Sequence, residues 1–297
     1  MVKLGKVKAL FLTVFFCLAL FRPVFSQEAV IGQEAVVGQA MTVEQLTADI
    51  SQKWSNIQDF QADLTVGVQV SGKTKKIEGT VWQKERVFRA EMKMPPEIIE
   101  NLIGFKPAGL VEVLVVFDGK TMWFSLPTMM NMVMKVDVSA LKGKTNNAPF
   151  SKPFYSLPEL SYMLSEEDRD GNDYYFLETG NVKDFFQKSA VSFMNMFLPT
   201  KPPLRSVGLW INKNTLFPDR VEFYAQKKAP AMYAEFNNIK TDQGLSPRLF
   251  VFKVPEGVTP MDMTETLKAM IGKTEKQAAV SDKPKAATAP DTGQAPE

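Results

Sequence analysis

Residues 60–70 read FQADLTVGVQV, and apolar and polar side chains alternate along this stretch. The apolar positions are Phe60, Ala62, Leu64, Val66, Val68 and Val70. Successive side chains of a strand point to opposite faces, so this alternation predicts a long strand with one buried face. Ser71-Gly72-Lys73 then turns the chain back, which makes this strand the start of an antiparallel sheet.

Strand-like runs separated by short polar turns continue along the chain. They cover residues 77–82, 87–94, 111–117, 121–124, 133–138, 174–179, 206–211, 220–225, 231–239 and 249–254. Ahead of the sheet, Thr42 and Gln45 form a capping-box pattern, and apolar residues at steps of three and four predict an amphipathic helix. Helical patterns recur at residues 96–105, 157–165 and 182–197. The predicted fold class is α+β, mainly antiparallel β: a curved, half-open β-barrel covered by short helices.

The two ends of the sequence predict segments outside this domain. Residues 1–26 combine three lysines, an apolar run and Pro23, which is typical of a secretory signal peptide cleaved after Ser26. The run is too short to span a bilayer. Residues 27–40 are predicted to be a flexible arm, residues 41–272 a single domain, and residues 273–297 a disordered tail. We therefore expect the chain to be exported through this signal peptide.

Composition excludes several kinds of partner and site. Cys17 is the only cysteine and lies in the predicted signal peptide, so no disulfide is expected in the exported chain. Cleavage leaves 31 of the 35 Lys and Arg residues against 33 Asp and Glu, a net charge of −2. Nucleic acid binding normally needs a marked basic excess. We therefore expect no nucleic acid partner.

The sequence contains no histidine, which removes the commonest general base and the commonest metal ligand. It also lacks a glycine-rich phosphate loop, a nucleophile elbow and a carboxylate cluster at metal-ligand spacing. We expect no catalytic residues, no metal and no cofactor, and hence no enzyme.

Three motifs occur in the order found in a known family. They are residues 79–84, GTVWQK, followed by Phe88; residues 116–124, VFDGKTMWF, closed by Pro127; and residues 250–258, FVFKVPEGV, with Asp262 behind them. Together they resemble the LolA-type outer-membrane lipoprotein carriers and the lipoprotein-sorting proteins of the same fold. The resemblance implies the LolA/LolB-like lipoprotein localisation fold, with a lipid cavity in residues 41–272.

The same resemblance implies a function and partners. It implies a monomeric periplasmic carrier that encloses the acyl chains of lipoproteins during transfer between inner and outer membrane. An inner-membrane releasing transporter and an outer-membrane receptor would be its partners. Two alternatives stay open: a shuttle or sensor of free lipids or glycolipids on the same fold, and an envelope interaction module that binds no ligand.

Strand alternation and the abundance of methionine, whose flexible side chain adapts to varied ligands, nominate the acyl-chain site. The predicted acyl-chain residues are Trp82, Phe88, Met92, Met94, Met122, Trp123, Met132, Met134, Leu209, Ile211 and Phe223. The predicted lid residues are Leu160, Met163, Leu164, Phe185, Phe186 and Phe193. A residue lining a cargo cavity is partly unpacked, so we expect the empty protein to tolerate a charge at Phe88 or Met92.

One position departs from the family pattern. The family's lid-tethering arginine would follow Lys84, where this chain has Glu85. Arg86 and Arg89 are the candidates to replace it as a lid latch.

Overall fold

The computed structural model of the protein describes residues 41–70, 72–103, 106–129, 131–141, 160–182, 204–226 and 229–269. Within these ranges, helices α1 (Val43–Trp54) and α2 (Pro96–Ile103) accompany twelve strands, and residues 264–269 are also helical. The strands are β1 (Asp59–Val70), β2 (Lys73–Lys84), β3 (Val87–Met94), β4 (Val111–Phe117), β5 (Thr121–Leu126), β6 (Met132–Asp137), β7 (Met163–Arg169), β8 (Asn172–Thr179), β9 (Ser206–Asn212), β10 (Pro218–Gln226), β11 (Ala229–Thr241) and β12 (Met261–Asp262).

All twelve strands belong to one sheet, in the order β12-β6-β5-β4-β3-β2-β1-β11-β10-β9-β8-β7. Every pair is antiparallel except β12 and β6, which run parallel over two residues. Among the described strands, β12 and β7 form the two edges, so the sheet does not close on itself. The predicted fold class, an open, mainly antiparallel half-barrel with few helices, is confirmed.

The long strand β1 is the centre of the sheet, as its alternation predicts. Leu64 faces Phe236 of β11 on one side and Gly79 of β2 on the other. Its apolar side chains belong to one buried cluster that extends over the sheet. We call the side that carries this cluster the inner face, and the opposite side the outer face.

Helix α1 closes one end of the inner face. The predicted capping box is present: the Gln45 backbone N–H donates to Thr42 Oγ1 at 3.2 Å, and the Thr42 N–H donates to Gln45 Oε1 at 3.1 Å. The apolar stripe of α1 ends in Trp54, whose ring centroid lies 4.2 Å from that of Phe217 and 6.5 Å from that of Phe60. We call this the α1 end of the inner face.

After β11 the chain crosses the outer face before it reaches β12. The buried Asp59 carboxylate accepts the backbone N–H groups of Gln243 and Leu245, each at 2.8 Å. Further along, the rings of Trp123 and Phe252 stack with centroids 5.1 Å apart. The prediction of a strand at residues 249–254 is wrong, because Pro247–Phe250 is a short 3-10 helix and the following residues pair with no described strand.

The prediction of a helix at residues 157–165 is wrong where the structure describes them. Residues 163–165 begin β7, which forms a hairpin with β8. The turn contains Asp170 and Gly171, with φ angles of 56° and 76°. Asp-Gly is the preferred pair for a two-residue turn with positive φ, so the hairpin follows from its turn. The helix predicted at residues 96–105 is confirmed as α2, and residues 183–197 lie outside the described residues.

Gly79, the first residue of the GTVWQK motif, allows β2 and β3 to approach closely. A Cβ atom at this position would lie 2.1 Å from the backbone oxygen of Glu91 and 2.9 Å from Cα of Met92. Backbone atoms cannot move aside without disturbing the strand pairing, so only glycine fits here.

We expect Gly79→Ala to lower the free energy of unfolding by about 1–3 kcal/mol, the usual cost of overpacking. Urea unfolding measures the change. Gly109→Ala is the control, because a Cβ atom there meets nothing within 4 Å, and it should alter stability by less than about 0.5 kcal/mol. Equal effects of the two substitutions would contradict the proposed close approach.

Candidate functional site

The candidate site is the inner face, which is apolar from β6 at one side to β8 at the other. The helices α1 and α2 and every described strand except β12 have side chains in this apolar surface or packed against it. Its members on the central strands include Leu64, Val66, Ile77, Val81, Ala90, Met92, Val113 and Val115. Such a surface can exclude water from an apolar ligand.

The α1 end of this face is packed core. Phe88 is 1% exposed, and its ring stacks on that of Phe117 with centroids 6.0 Å apart. Gln83 lies between Phe60 and Phe88 in the register, and its buried Oε1 has no hydrogen-bond partner among the described residues. The structure contradicts the premise that Phe88 is partly unpacked, because its side chain has no access to water. The same holds for Met92, which is 3% exposed.

The opposite end of the inner face is less tightly packed. One register row there links Val68, Met232, Phe223, Val207 and Thr179 across five strands. Val68 and Met232 are only partly buried, whereas Phe223 and Val207 are fully buried. Helix α2 lies at this end, since it follows directly on β3. We call it the α2 end.

Polar groups gather at the α2 end. Lys75 stands opposite Val68 in the register, on the inner face, and its Nζ lies 3.2 Å from Oε1 of Glu97 at the start of α2. The pKa of Glu97 is lowered by a backbone hydrogen bond in the first turn and then by Lys75, so this carboxylate stays charged at neutral pH. The pair joins β2 to α2.

Tyr162 is a further polar residue at this end. It lies two residues before Leu164, on the same side of the chain, and both pack against the inner-face cluster. Its hydroxyl oxygen is buried and has no hydrogen-bond partner among the described residues. Burial raises the pKa of this phenol, so it remains a neutral donor throughout the physiological range.

Nine of the predicted acyl-chain residues lie on the inner face. They are Phe88, Met92, Met94, Met122, Met132, Met134, Leu209, Ile211 and Phe223. Met132 is the only one of these nine that is partly exposed. Their position is compatible with the predicted role, which stays a prediction.

Trp82 and Trp123 do not belong to this set. Trp82 pairs with Arg89, and Trp123 pairs with Val116, so both tryptophans lie on the outer face. The Trp123 indole N–H donates to Oδ2 of Asp118 at 3.1 Å. Val81 and Met122 face inward, so alternation places Trp82 and Trp123 outward, away from the other predicted acyl-chain residues.

The two arginines predicted as a lid latch lie in different surroundings. Arg89 bonds the Glu91 carboxylate at 2.6 Å and the backbone oxygen of Leu249 at 3.3 Å, so it holds the segment that crosses the outer face. Arg86 is exposed at the turn between β2 and β3. Arg89 therefore lies on the outer face, away from a lid over the inner face, and a latch role for Arg86 stays a prediction.

The structure places only some of the predicted lid residues against the inner face. Met163 is 67% exposed and starts the edge strand β7, so it covers nothing. Leu160 and Leu164 pack against the inner-face cluster, Leu164 from a strand and not from a helix. Phe185, Phe186 and Phe193 lie outside the described residues.

A charged and aromatic network on the outer face of β7–β11 was not predicted. The buried Glu222 carboxylate accepts the Trp210 indole N–H at 2.8 Å and the Tyr224 hydroxyl, and pairs with Arg220 at 2.7 Å. Glu235 joins Arg220 to Arg169 with distances of 3.0 and 2.9 Å.

The charged groups of this network pair with one another. Arg169 and Glu235 sit on β7 and β11, which lie four positions apart in the sheet. Because the charges are paired within the protein, we assign the network to stability and not to ligand binding.

In the part of the chain that the structure describes, no group of three or more Asp, Glu, His or Cys residues could hold a metal ion. The same residues include no helix of sufficient length and apolar character to cross a membrane.

Comparisons with known proteins find similarity in structure alone. No family model matches the sequence, and no curated protein matches it significantly. An uncharacterised conserved protein from Thermus thermophilus has a TM-score of 0.45 at 13% identity, covering 74% of this chain and 98% of that one. The lipoprotein LppX from Mycobacterium tuberculosis gives 0.39 at 11%, with 69% and 99% covered. A LolA superfamily protein from Nitrosomonas europaea gives 0.31 at 14%, with 72% and 99% covered. Likeness at this level says nothing about what the chain binds.

Proposed function

We propose that this protein is a periplasmic carrier that encloses the acyl chains of lipoproteins on its inner face and transfers them between the inner and outer membranes. The observation that carries the proposal is the change in packing along the inner face. This apolar surface is closed by α1 at one end and only partly packed at the α2 end. Acyl chains would enter from the α2 end, where Val68 and Met232 are partly exposed.

The free energy of acyl-chain burial is compatible with a carrier. Each CH₂ group removed from water contributes about 0.8 kcal/mol, so a long acyl chain gains more than about ten kcal/mol on burial. A membrane offers a similar gain, so net transfer is nearly balanced and a carrier has to release its cargo as readily as it binds it. A fully packed core would not admit the chain, whereas a partly packed end would.

The proposal includes no catalytic step and no cofactor, because transfer of an acyl chain between apolar surroundings makes and breaks no covalent bond. By the resemblance of its three motifs, the protein would receive cargo from an inner-membrane transporter and deliver it to an outer-membrane receptor. We propose that it does so as a monomer.

Mass spectrometry of the species that copurify with the exported protein tests this function. We expect acylated peptides or lipoproteins. Free phospholipid or glycolipid in their place would favour a lipid shuttle on the same fold, and would contradict the lipoprotein carrier. Finding neither would favour an envelope module that binds no ligand.

A further inference from the structure

A row of the inner face at the α2 end carries both apolar and uncharged polar side chains. Thr179 faces Val207 in this row and is 1% exposed. Met163, the first residue of β7, pairs with Glu178, and Tyr162 directly precedes it. Because Tyr162 precedes β7 at this end and packs against the inner-face cluster, its buried hydroxyl lies beside the apolar surface.

The Thr179 hydroxyl does not satisfy the Tyr162 hydroxyl. Thr179 Oγ1 accepts the backbone N–H of Asn181 at 3.2 Å, while Tyr162 has no partner among the described residues. A buried hydroxyl without a partner costs free energy relative to one in water, so native proteins usually pair such groups. An unpaired donor in an apolar setting points to an acceptor that arrives with a ligand.

The kind of acceptor follows from the surroundings. The donor is neutral, since burial raises the pKa of the Tyr162 phenol, and the neighbouring inner-face side chains are apolar. A phosphate or another full charge would be poorly solvated there without a nearby cation. Of the cations near this end, Lys75 is already paired with Glu97, and Lys73 and Arg205 have exposed side chains in water. A neutral carbonyl oxygen at the head of an acyl chain needs one donor and no counter-charge.

We infer that the Tyr162 hydroxyl donates a hydrogen bond to the carbonyl oxygen that joins an acyl chain to its carrier molecule, and so fixes how far the chain enters. This inference rests on the proposed function. The tail then lies along the inner face toward α1, and the polar remainder of the cargo stays at the α2 end. Tyr162 is a specificity residue in this account, and the apolar face supplies the affinity.

Displacement of an anilinonaphthalene sulfonate dye by three probes of equal chain length tests the inference: methyl palmitate, palmitic acid and hexadecane. We expect Tyr162→Phe to weaken binding of methyl palmitate about three- to ten-fold, the loss typical of one neutral hydrogen bond. Binding of hexadecane should not change. A loss seen with palmitic acid alone would overturn the inference, because the contact would then be made to a free carboxyl group and not to the neutral carbonyl that joins an acyl chain to its carrier molecule.

Tyr233→Phe is the matched control. It removes a hydroxyl from the outer face, where the Tyr233 ring lies under Arg220 at 3.8 Å, and should leave binding of all three probes unchanged. In the empty protein, Tyr162→Phe should leave the melting temperature unchanged or raise it, because it removes an unpaired buried group. A fall of several degrees would show that the hydroxyl already has a partner, and would overturn the inference.

Further outcomes distinguish failure of this inference from failure of the proposed carrier function. Equal loss for hexadecane and methyl palmitate in Tyr162→Phe, or no loss for either carbonyl probe, would overturn the inference and leave the carrier function standing. Failure of the wild-type protein to bind any of the three probes would overturn the carrier function and the inference together.

Discussion

Met232→Glu is expected to abolish acyl-chain binding while the protein still folds. Met232 is partly exposed on the inner face of β11, between Val68 of β1 and Phe223 of β10. In the empty protein the new carboxylate can reach water. When an acyl chain covers it, the carboxylate loses that water without gaining a partner, at a cost of several kcal/mol. Affinity for an acyl probe should fall by roughly two orders of magnitude or more.

Two further variants serve as controls for Met232→Glu. Gln69→Glu adds the same charge to an exposed side chain on the outer face of β1, and should bind the probe as the wild type does. Phe88→Glu adds it at the packed α1 end and should unfold the protein, since loss of such a ring alone costs about 3–5 kcal/mol. If Met232→Glu binds the probe with wild-type affinity, acyl chains do not occupy the α2 end.

Glu222→Ala should lower the free energy of unfolding by about 3–5 kcal/mol, the cost of removing one partner from a buried ion pair. The substitution leaves the Trp210 indole N–H and the Tyr224 hydroxyl without their acceptor, and leaves Arg220 with Glu235 alone. For a domain of this size the melting temperature should fall by roughly 6–20 °C.

Glu112→Ala is the control for this experiment. Glu112 is exposed on β4, and its replacement should change stability by less than about 0.5 kcal/mol. Acyl-probe binding by Glu222→Ala, measured well below its melting temperature, should equal that of the wild type, because the outer-face network does not touch the inner face. Loss of binding in the folded variant would mean that the network takes part in the site.

Where the hydrophobic pattern is strong, the sequence predicts the fold closely. The predicted runs at residues 87–94 and 111–117 coincide with β3 and β4. β7 was missed because it is an edge strand with the polar sequence MLSEEDR and lacks a buried alternating face. The Asp170-Gly171 turn was the available signal for it.

Adjacent residues show where the site prediction failed. Met122 and Trp123 were both nominated for acyl binding, although neighbours in a strand cannot face the same side. Strict alternation from the inward Met122 would have excluded Trp123 from the predicted acyl-chain site. Alternation from the inward Ala234 would have added Met232 to that site.

Other features of the site could not be read from the sequence. The isolation of the Tyr162 hydroxyl depends on the β7–β8 register and on burial, and the Glu222 network joins residues from four strands. Both arise from pairing across distant segments, which local periodicity does not encode.

The central claim is that the inner face takes acyl chains, and one titration tests it most directly. A lipidated peptide and the same peptide without its acyl groups are titrated into the exported wild-type protein by calorimetry at several temperatures. We predict saturable binding of the lipidated peptide alone, with a negative heat-capacity change that marks burial of apolar surface. Equal binding of the two peptides, or binding of neither, would contradict the account.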